Sequence, residues 1–316
     1  MKAQIGQDIK KAAEILKNGG LVAIPTETVY GLAANALDSD AVLKVFEAKR
    51  RPEFDPLIVH VGSWEQLNEL ACSFPAEARA LTKEFWPGPL TVVLPKKEII
   101  PDLVTSGLPS VGMRMPNHPL ALKLLSLLPF PLAAPSANPF GYISPTSAQH
   151  VVEQLGDQID YILDGGPSNV GVESTIVSFE GETPRILRWG GLELEQIEPF
   201  LERFDSSEQS SDNPSAPGML SSHYAPRKKL IIGNLKELMV KYANKDCVYL
   251  SFEETHEMSG EVLSPSGDIR EAARNLFAAM RRLDSGEGEL ILTEMVPESG
   301  LGRAINDRLK RAAYST

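Results

Sequence analysis

Residues 19–32 read Gly-Gly-Leu-Val-Ala-Ile-Pro-Thr-Glu-Thr-Val-Tyr-Gly-Leu. Just before them, Ile9, Ala12, Ala13 and Leu16 recur at helical spacing within residues 8–18, and the glycine pair ends that helix. Leu21 to Ile24 is an uninterrupted apolar run, the pattern of a strand buried on both faces. A helix feeding a buried strand predicts an α/β chain. The polar groups of Thr26, Glu27 and Thr28 then emerge at a strand end, where such folds place ligands. Two readings stay open there: a solvated turn, or hydroxyls that hold a small polar substrate.

Working outward, Asp38 or Ser39 caps a second helix with Val42, Val45 and Phe46 inward. Strands are predicted at 57–61, 90–94, 111–115, 131–134, 161–163, 174–179 and 185–189, and helices at 64–71, 76–85, 118–127, 146–155 and 193–203. Strands and helices do not alternate regularly, so a mixed, twisted sheet is expected rather than a doubly wound one. Between Phe204 and Lys229 the stretch SSEQSSDNPSAPG offers almost nothing to bury and reads as a linker. Strands at 230–232, 248–252 and 290–293 then alternate with helices at 235–243, 268–283 and 303–313, the pattern of a small parallel, Rossmann-like α/β unit. The expected organisation is a domain over 1–203, a linker over 204–229 and a second domain over 230–316.

The 316 residues are 42% hydrophobic and 23% charged, enough for two cores and ordinary for a globular protein. No secretory leader and no bilayer-length apolar run is recognised, and Cys72 and Cys247 form no metal or disulfide motif, so a cytoplasmic protein is expected. A net charge of -11 disfavours a broad nucleic-acid surface and leaves any RNA contact local or indirect.

Candidate chemistry lies in a few short segments. Lys49 and Arg51 stand at a helix end before Pro52; the helix dipole alone favours cations there, and phosphate binding is the functional alternative. His60 sits alone on an apolar strand, a pattern that is usually structural. Arg114, flanked by Met113 and Met115, suits either a buried ion pair or a substrate carboxylate. Ser136 and Asn138 lie in the turn Ala-Pro-Ser-Ala-Asn-Pro, with Ser144 following, and can orient a nucleotide. The loop from Asp164 to Thr175 is glycine-rich yet matches no phosphate-binding Lys-Ser or Lys-Thr loop, nucleophile elbow or zinc-protease motif. In the second domain the loop 297–303 reads as a plain connection. Arg303, Arg308, Lys310 and Arg311 read as a solvated helix face, and no catalytic residue is expected beyond the linker.

The segments PTETVYGL, KRRP…PLIVHV, FWPGPLTVVLP, VGMRMP, APSAN, GVESTIV and RILRWG, in this order and spacing, resemble the YrdC-domain family of threonylcarbamoyl-AMP synthases. PGMLSSHYAP in the linker and the trailing α/β unit resemble the family's longer, two-domain form. The resemblance implies a nucleotidyltransferase that adds bicarbonate to the amine of L-threonine and adenylylates the carbamate with ATP and Mg²⁺. Its product would pass to a separate transferase complex that modifies tRNA beside the anticodon. On the same resemblance, Thr26, His60, Arg114 and Ser174 would surround threonine and bicarbonate, while Lys49, Arg51, Ser136, Asn138, Ser144 and Arg188 would hold ATP. Lys49 and Arg51 would be the catalytic cations, and Tyr224 would close over the nucleotide. Asp55 departs from the family pattern, which has Asn there, and would either weaken nucleotide binding or help hold magnesium. The rival readings are a non-enzymatic double-stranded RNA-binding module and a carbamoyl-transfer enzyme of the same superfamily.

Overall fold

The computed structural model describes residues 3–206 and 216–314. The first sheet is built from β1 (Gln4–Gly6), β2 (Val22–Ile24), β3 (Gly31–Asn35), β4 (Ile58–His60), β5 (Leu90–Pro95), β6 (Ser110–Arg114), β7 (Leu132–Ala133), β8 (Tyr161–Leu163), β9 (Thr175–Ser178) and β10 (Arg185–Arg188). Its ten strands run in the order β1-β8-β2-β3-β7-β4-β6-β5-β9-β10. Parallel pairs such as β4 with β6 sit beside antiparallel ones such as β5 with β6, so the sheet is mixed, as expected.

Local chemistry explains the elements that the site depends on. Asp8 caps the helix Ile9–Lys17 by accepting from the backbone N–H groups of Lys10 and Lys11, and Ala12, Ala13 and Leu16 are its buried face. Gly19, at φ 71°, turns the chain into β2, all of whose residues are buried. Asp38 rather than Ser39 caps the helix Ser39–Lys49, whose last turn buries Phe46 and Lys49. Arg50 ends it in the left-handed region at φ 52°, which swings Arg51 back toward the sheet.

The sequence reading missed β1, β3 and a strand of the second domain. Gly31–Asn35 reads GLAAN, too small and short of β-branched residues to signal a strand; its pairing with β2 and β7 makes it one. The helix expected over 193–203 is a single turn, Leu194–Ile197, followed by a tight turn over Glu198–Phe200, where Pro199 removes a helical donor.

The second sheet comprises β11 (Lys229–Ile232), β12 (Cys247–Ser251), β13 (Gly260–Val262) and β14 (Leu290–Thr293), all parallel, in the order β11-β14-β12-β13. Its helices Ile269–Ser285 and Gly302–Ala313 face two ways. One hydrophobic cluster joins Leu276, Phe277, Met280 and Ile305 to Val29, Ile143 and Val172 of the first sheet's loops and to Tyr224. The approach is tight at Gly171, at φ +83°, where an added Cβ would lie 2.4 Å from the Arg274 Cα. Residues 207–215 of the expected linker lie outside the described residues. Its later part returns across the first sheet, where Ala216 and Met219 pack on Ile58, Val93 and Ile176.

Candidate active site

A cavity with about 50 Å³ of free volume opens where the loops after β2 and β7, the ends of β4, β6 and β10, and the returning linker converge. Thr26, Arg51, His60, Arg114, Ser136, Ser174, Arg188 and Tyr224 all contribute to its wall, although they come from eight separate places in the chain. Thr28, Glu173, Gly218 and His223, which sequence reasoning had not assigned to the site, also line it.

One end is rich in hydroxyls. The Thr26 hydroxyl donates to the Val29 carbonyl at 2.6 Å and accepts from the Thr28 and Val29 backbone N–H groups, a local turn that holds the loop after β2 open. Arg114 crosses beneath it, donating to the Thr28 hydroxyl at 2.9 Å and to the Gly88 carbonyl at 3.2 Å, with Nη2 2.7 Å from the Glu27 carboxylate. Arg114 therefore makes the buried ion pair that was one of its two readings, and it also lines the cavity. His60 is buried on β4, and burial, aided by the Arg114 charge, pushes its pKa down to about 3, so the ring is neutral.

The other end is cationic. Arg188 donates to the Ser174 carbonyl at 3.0 Å, to the Ser174 hydroxyl at 3.2 Å and to the Pro217 carbonyl at 3.0 Å, which ties β10 to the linker. Arg51 is braced by the carbonyls of Asp55 at 2.9 Å and Pro56 at 2.7 Å. Asp55 is fully buried 2.9 Å from Arg51 Nη2 and does not line the cavity, so it acts as the counter-charge of Arg51 rather than as a ligand exposed to a metal. Burial pushes its carboxyl up, against the pull of Arg51, Lys49 and Arg188.

Lys49, Asn138 and Ser144, also expected to touch ATP, stand behind the wall. Lys49 Nζ donates to the carbonyls of Ser136 at 2.5 Å and Asn138 at 2.6 Å, so the buried ammonium shapes the turn that presents Ser136. Asn138 donates to the carbonyls of Pro139 and Tyr142, and Ser144 donates to Glu173 at 2.5 Å. The reason is geometric: each of these side chains is turned inward, onto the backbone or side chains that support the wall.

Tyr224 closes the top. At φ 62° it adopts a left-handed backbone, stacks on Phe277 with ring centroids 5.6 Å apart, and buries its hydroxyl without a hydrogen-bond partner among the described residues. His223 packs edge-on against it at 4.1 Å. His223 is held neutral by burial and the surrounding cations, and burial pushes His150 down to about 4. Each histidine is neutral when folded but protonated when unfolded below about pH 6.5, so the unfolded state gains protons first as pH falls. Stability is therefore expected to decline from about pH 6.5 toward pH 4; denaturant midpoints that stay level between pH 7 and 5 would contradict neutral burial.

The expected solvated face of the last helix holds at Lys310, which is exposed, and is overturned at Arg308. Arg308 is fully buried, donating 2.9 Å to Glu173, while Arg311 donates to the Leu220 carbonyl at 2.6 Å and Arg303 to Glu195 at 2.7 Å. A helix packed on its own sheet and on a second domain buries polar positions that its sequence pattern assigns to water.

The fold and the site together define an α/β protein whose enclosed pocket, lined by three guanidinium groups and several hydroxyls, suits a small polyanionic ligand. Residues 14–190 match the family model Sua5/YciO/YrdC, described as telomere recombination, and residues 192–314 match that of the threonylcarbamoyl-AMP synthase C-terminal domain. The chain is similar to the threonylcarbamoyl-AMP synthases of Pyrococcus abyssi, at 45% identity over 96% of this chain and 94% of that one, and of Bacillus subtilis, at 41% over 96% and 92%. A crystal structure of P. abyssi Sua5 complexed with L-threonine superposes with a TM-score of 0.91 at 45% identity, covering 96% of this chain and 94% of the other. The chain belongs to the threonylcarbamoyl-AMP synthase family, a class of adenylyl-transferring enzymes. No helix among the described residues is long and apolar enough to cross a membrane.

Proposed function

We propose that this chain condenses L-threonine, bicarbonate and ATP into threonylcarbamoyl-AMP, releasing pyrophosphate and water. The observation that carries this reading is the gathering of Arg51, Arg114 and Arg188 around one cavity beneath Tyr224. In this reading the threonine carboxylate pairs with Arg114, and the neutral His60 and the Thr26 loop face its amine and hydroxyl. The threonine amine attacks the bicarbonate carbon and water leaves to give the carbamate, one of whose oxygens then attacks the α-phosphorus of ATP as pyrophosphate leaves. Arg51 and Arg188 offset the charge that builds on the phosphates. Mg²⁺ enters as part of the nucleotide substrate. The Ser174 hydroxyl is bonded to Thr91 and Arg188, and that of Thr26 to its own loop, so neither is paired with a general base. Positioning, not covalent catalysis, is therefore the chain's contribution.

Enclosure favours the same reading, since a mixed anhydride is hydrolysed by water that reaches it. In this reading linker residues 216–226, which include Pro217, Gly218, His223 and Tyr224 of the cavity wall, shift to admit nucleotide and amino acid and shield them from water. The product would be handed in the cytoplasm to a transferase complex acting on tRNA, with no direct RNA contact required of this chain.

Incubation with ATP, Mg²⁺, threonine and labelled bicarbonate should place label in an AMP adduct and release pyrophosphate, both dependent on threonine. Absence of both with folded protein would refute the proposal. Thr26→Ala should raise the KM for threonine more than that for ATP, because it relaxes the loop at the hydroxyl-rich end; equal shifts in separate substrate titrations would place Thr26 elsewhere.

A further inference from the structure

We propose that Arg308, from the last helix of the second domain, is a positioning residue of the catalytic pocket: it neutralises and orients Glu173 and underpins Tyr224. The proposal rests on the placement of the ATP phosphates in this cavity.

Arg308 is fully buried and every branch of its guanidinium is engaged. Nε donates to Glu173 at 2.9 Å, Nη1 to Asp307 at 2.5 Å and Nη2 to the Trp189 carbonyl at 2.9 Å, while the group lies 4.9 Å from the centre of the Tyr224 ring. Arg311, one turn on, pairs with Asp307 and donates to the Leu220 carbonyl. One helix thus grips the Gly171–Thr175 loop of the first domain and the linker that covers the cavity.

Glu173 is the reason such a grip matters. It lines the same cavity as Arg51 and Arg188, and a bare carboxylate there would repel a triphosphate. Its two oxygens are held by Ser144 and Arg308. Burial pushes its pKa up, but Arg308, Arg188 and the Ser144 hydroxyl together bring it below the usual carboxylate range. The pair is therefore a closed charge in the pocket wall, and the second domain supplies half of it. The groups facing Glu173 are Arg308 from the last helix, Arg188 from β10, Ser144 from its loop and Tyr224 from the linker.

If Arg308 is removed, burial raises the Glu173 pKa, and the unpaired charge is relieved only when the carboxyl is protonated. Arg308→Met should lower kcat/KM for ATP about 10- to 100-fold, the range for coupling between touching groups, with a smaller effect on the KM for threonine. The deficit should shrink as pH falls from 8 to 6. Glu173→Gln combined with Arg308→Met should recover most of the loss, since no unpaired charge remains, and Arg308→Lys should retain more activity than Arg308→Met. Thermal midpoints are measured for each variant. Should Arg308→Met not fold, the double variant decides alone: ATP use reduced less than about tenfold from the intact protein supports the proposal, and folded protein with a greater loss overturns it. A pH-independent deficit, or a double variant no better than Arg308→Met, also overturns it. Arg51→Ala, which removes a cation from the same wall without touching the second domain, reports on the nucleotide placement separately. Loss there with no loss in Arg308→Met defeats the Arg308 role alone, and no loss in Arg51→Ala defeats the placement itself.

Discussion

Replacing Lys49 by alanine should lower kcat/KM for ATP by about 10- to 100-fold, the scale of leaving a buried acceptor unpaired in the wall of the site. The side chain does not reach the cavity, and the effect arises through what it holds. Its ammonium ties the carbonyls of Ser136 and Asn138 together; without it the Asn138 carbonyl loses its buried donor and the Ser136 carbonyl keeps only the Asn138 backbone N–H, at the turn that presents Ser136. The charge balance around Arg51 and Asp55 would change as well; burial and the neighbouring Arg51 already hold the Lys49 pKa well below its ordinary value, with Asp55 opposing them. The measurement is steady-state turnover at varied ATP, accompanied by a melting curve. Turnover near that of the intact protein would remove Lys49 from any part in the reaction.

The second large effect is expected from a chain ending at residue 206. Cutting there removes Tyr224 and Arg308 together, exposes Val29, Ile143 and Val172 of the shared cluster, and leaves Glu173 without its guanidinium. The remaining sheet retains its own large core around Val59, Val92, Leu94 and Met113, which is separate from the shared cluster, and should stay folded. Synthesis of the adenylate should fall by about 10²-fold or more, as for the loss of a key electrostatic contact, and a larger share of the ATP consumed should appear as free AMP because water reaches the anhydride. Labelled product and AMP are counted in the same assay. Undiminished synthesis with intact product would show that the linker is not a lid and that the second domain is dispensable.

Much of the first domain was legible because its signals are local. The Gly19-Gly20 stop, the apolar Leu21–Ile24 run and the capping Asp38 act within a few residues, and the structure places their elements within a residue or two of expectation. The weak strands were not legible. Gly31–Asn35 is a strand because β2 and β7 flank it, and Gly260–Val262 because β12 pairs with it, neither of which is visible in three to five residues.

The candidate site divides the same way. Resemblance singled out Thr26, Arg51, His60, Arg114, Ser136, Ser174, Arg188 and Tyr224, and all of them border one cavity. It could not distinguish them from Lys49, Asn138 and Ser144, because depth behind a wall is a property of three dimensions. Glu173 was visible as a residue of a glycine-rich loop but carried no mark of its partner, which lies 135 positions away.

By itself, then, the sequence determined the order of strong elements and which short segments to examine as candidate site, since periodicity, caps and glycine turns work over one or two turns of chain. Tertiary structure alone decided that the second domain shares a core with the first, that the linker returns over the cavity, and that Arg308 is buried against Glu173. A charge on a helix reads as solvated until another surface covers it, and burial by a distant segment leaves no trace in local pattern.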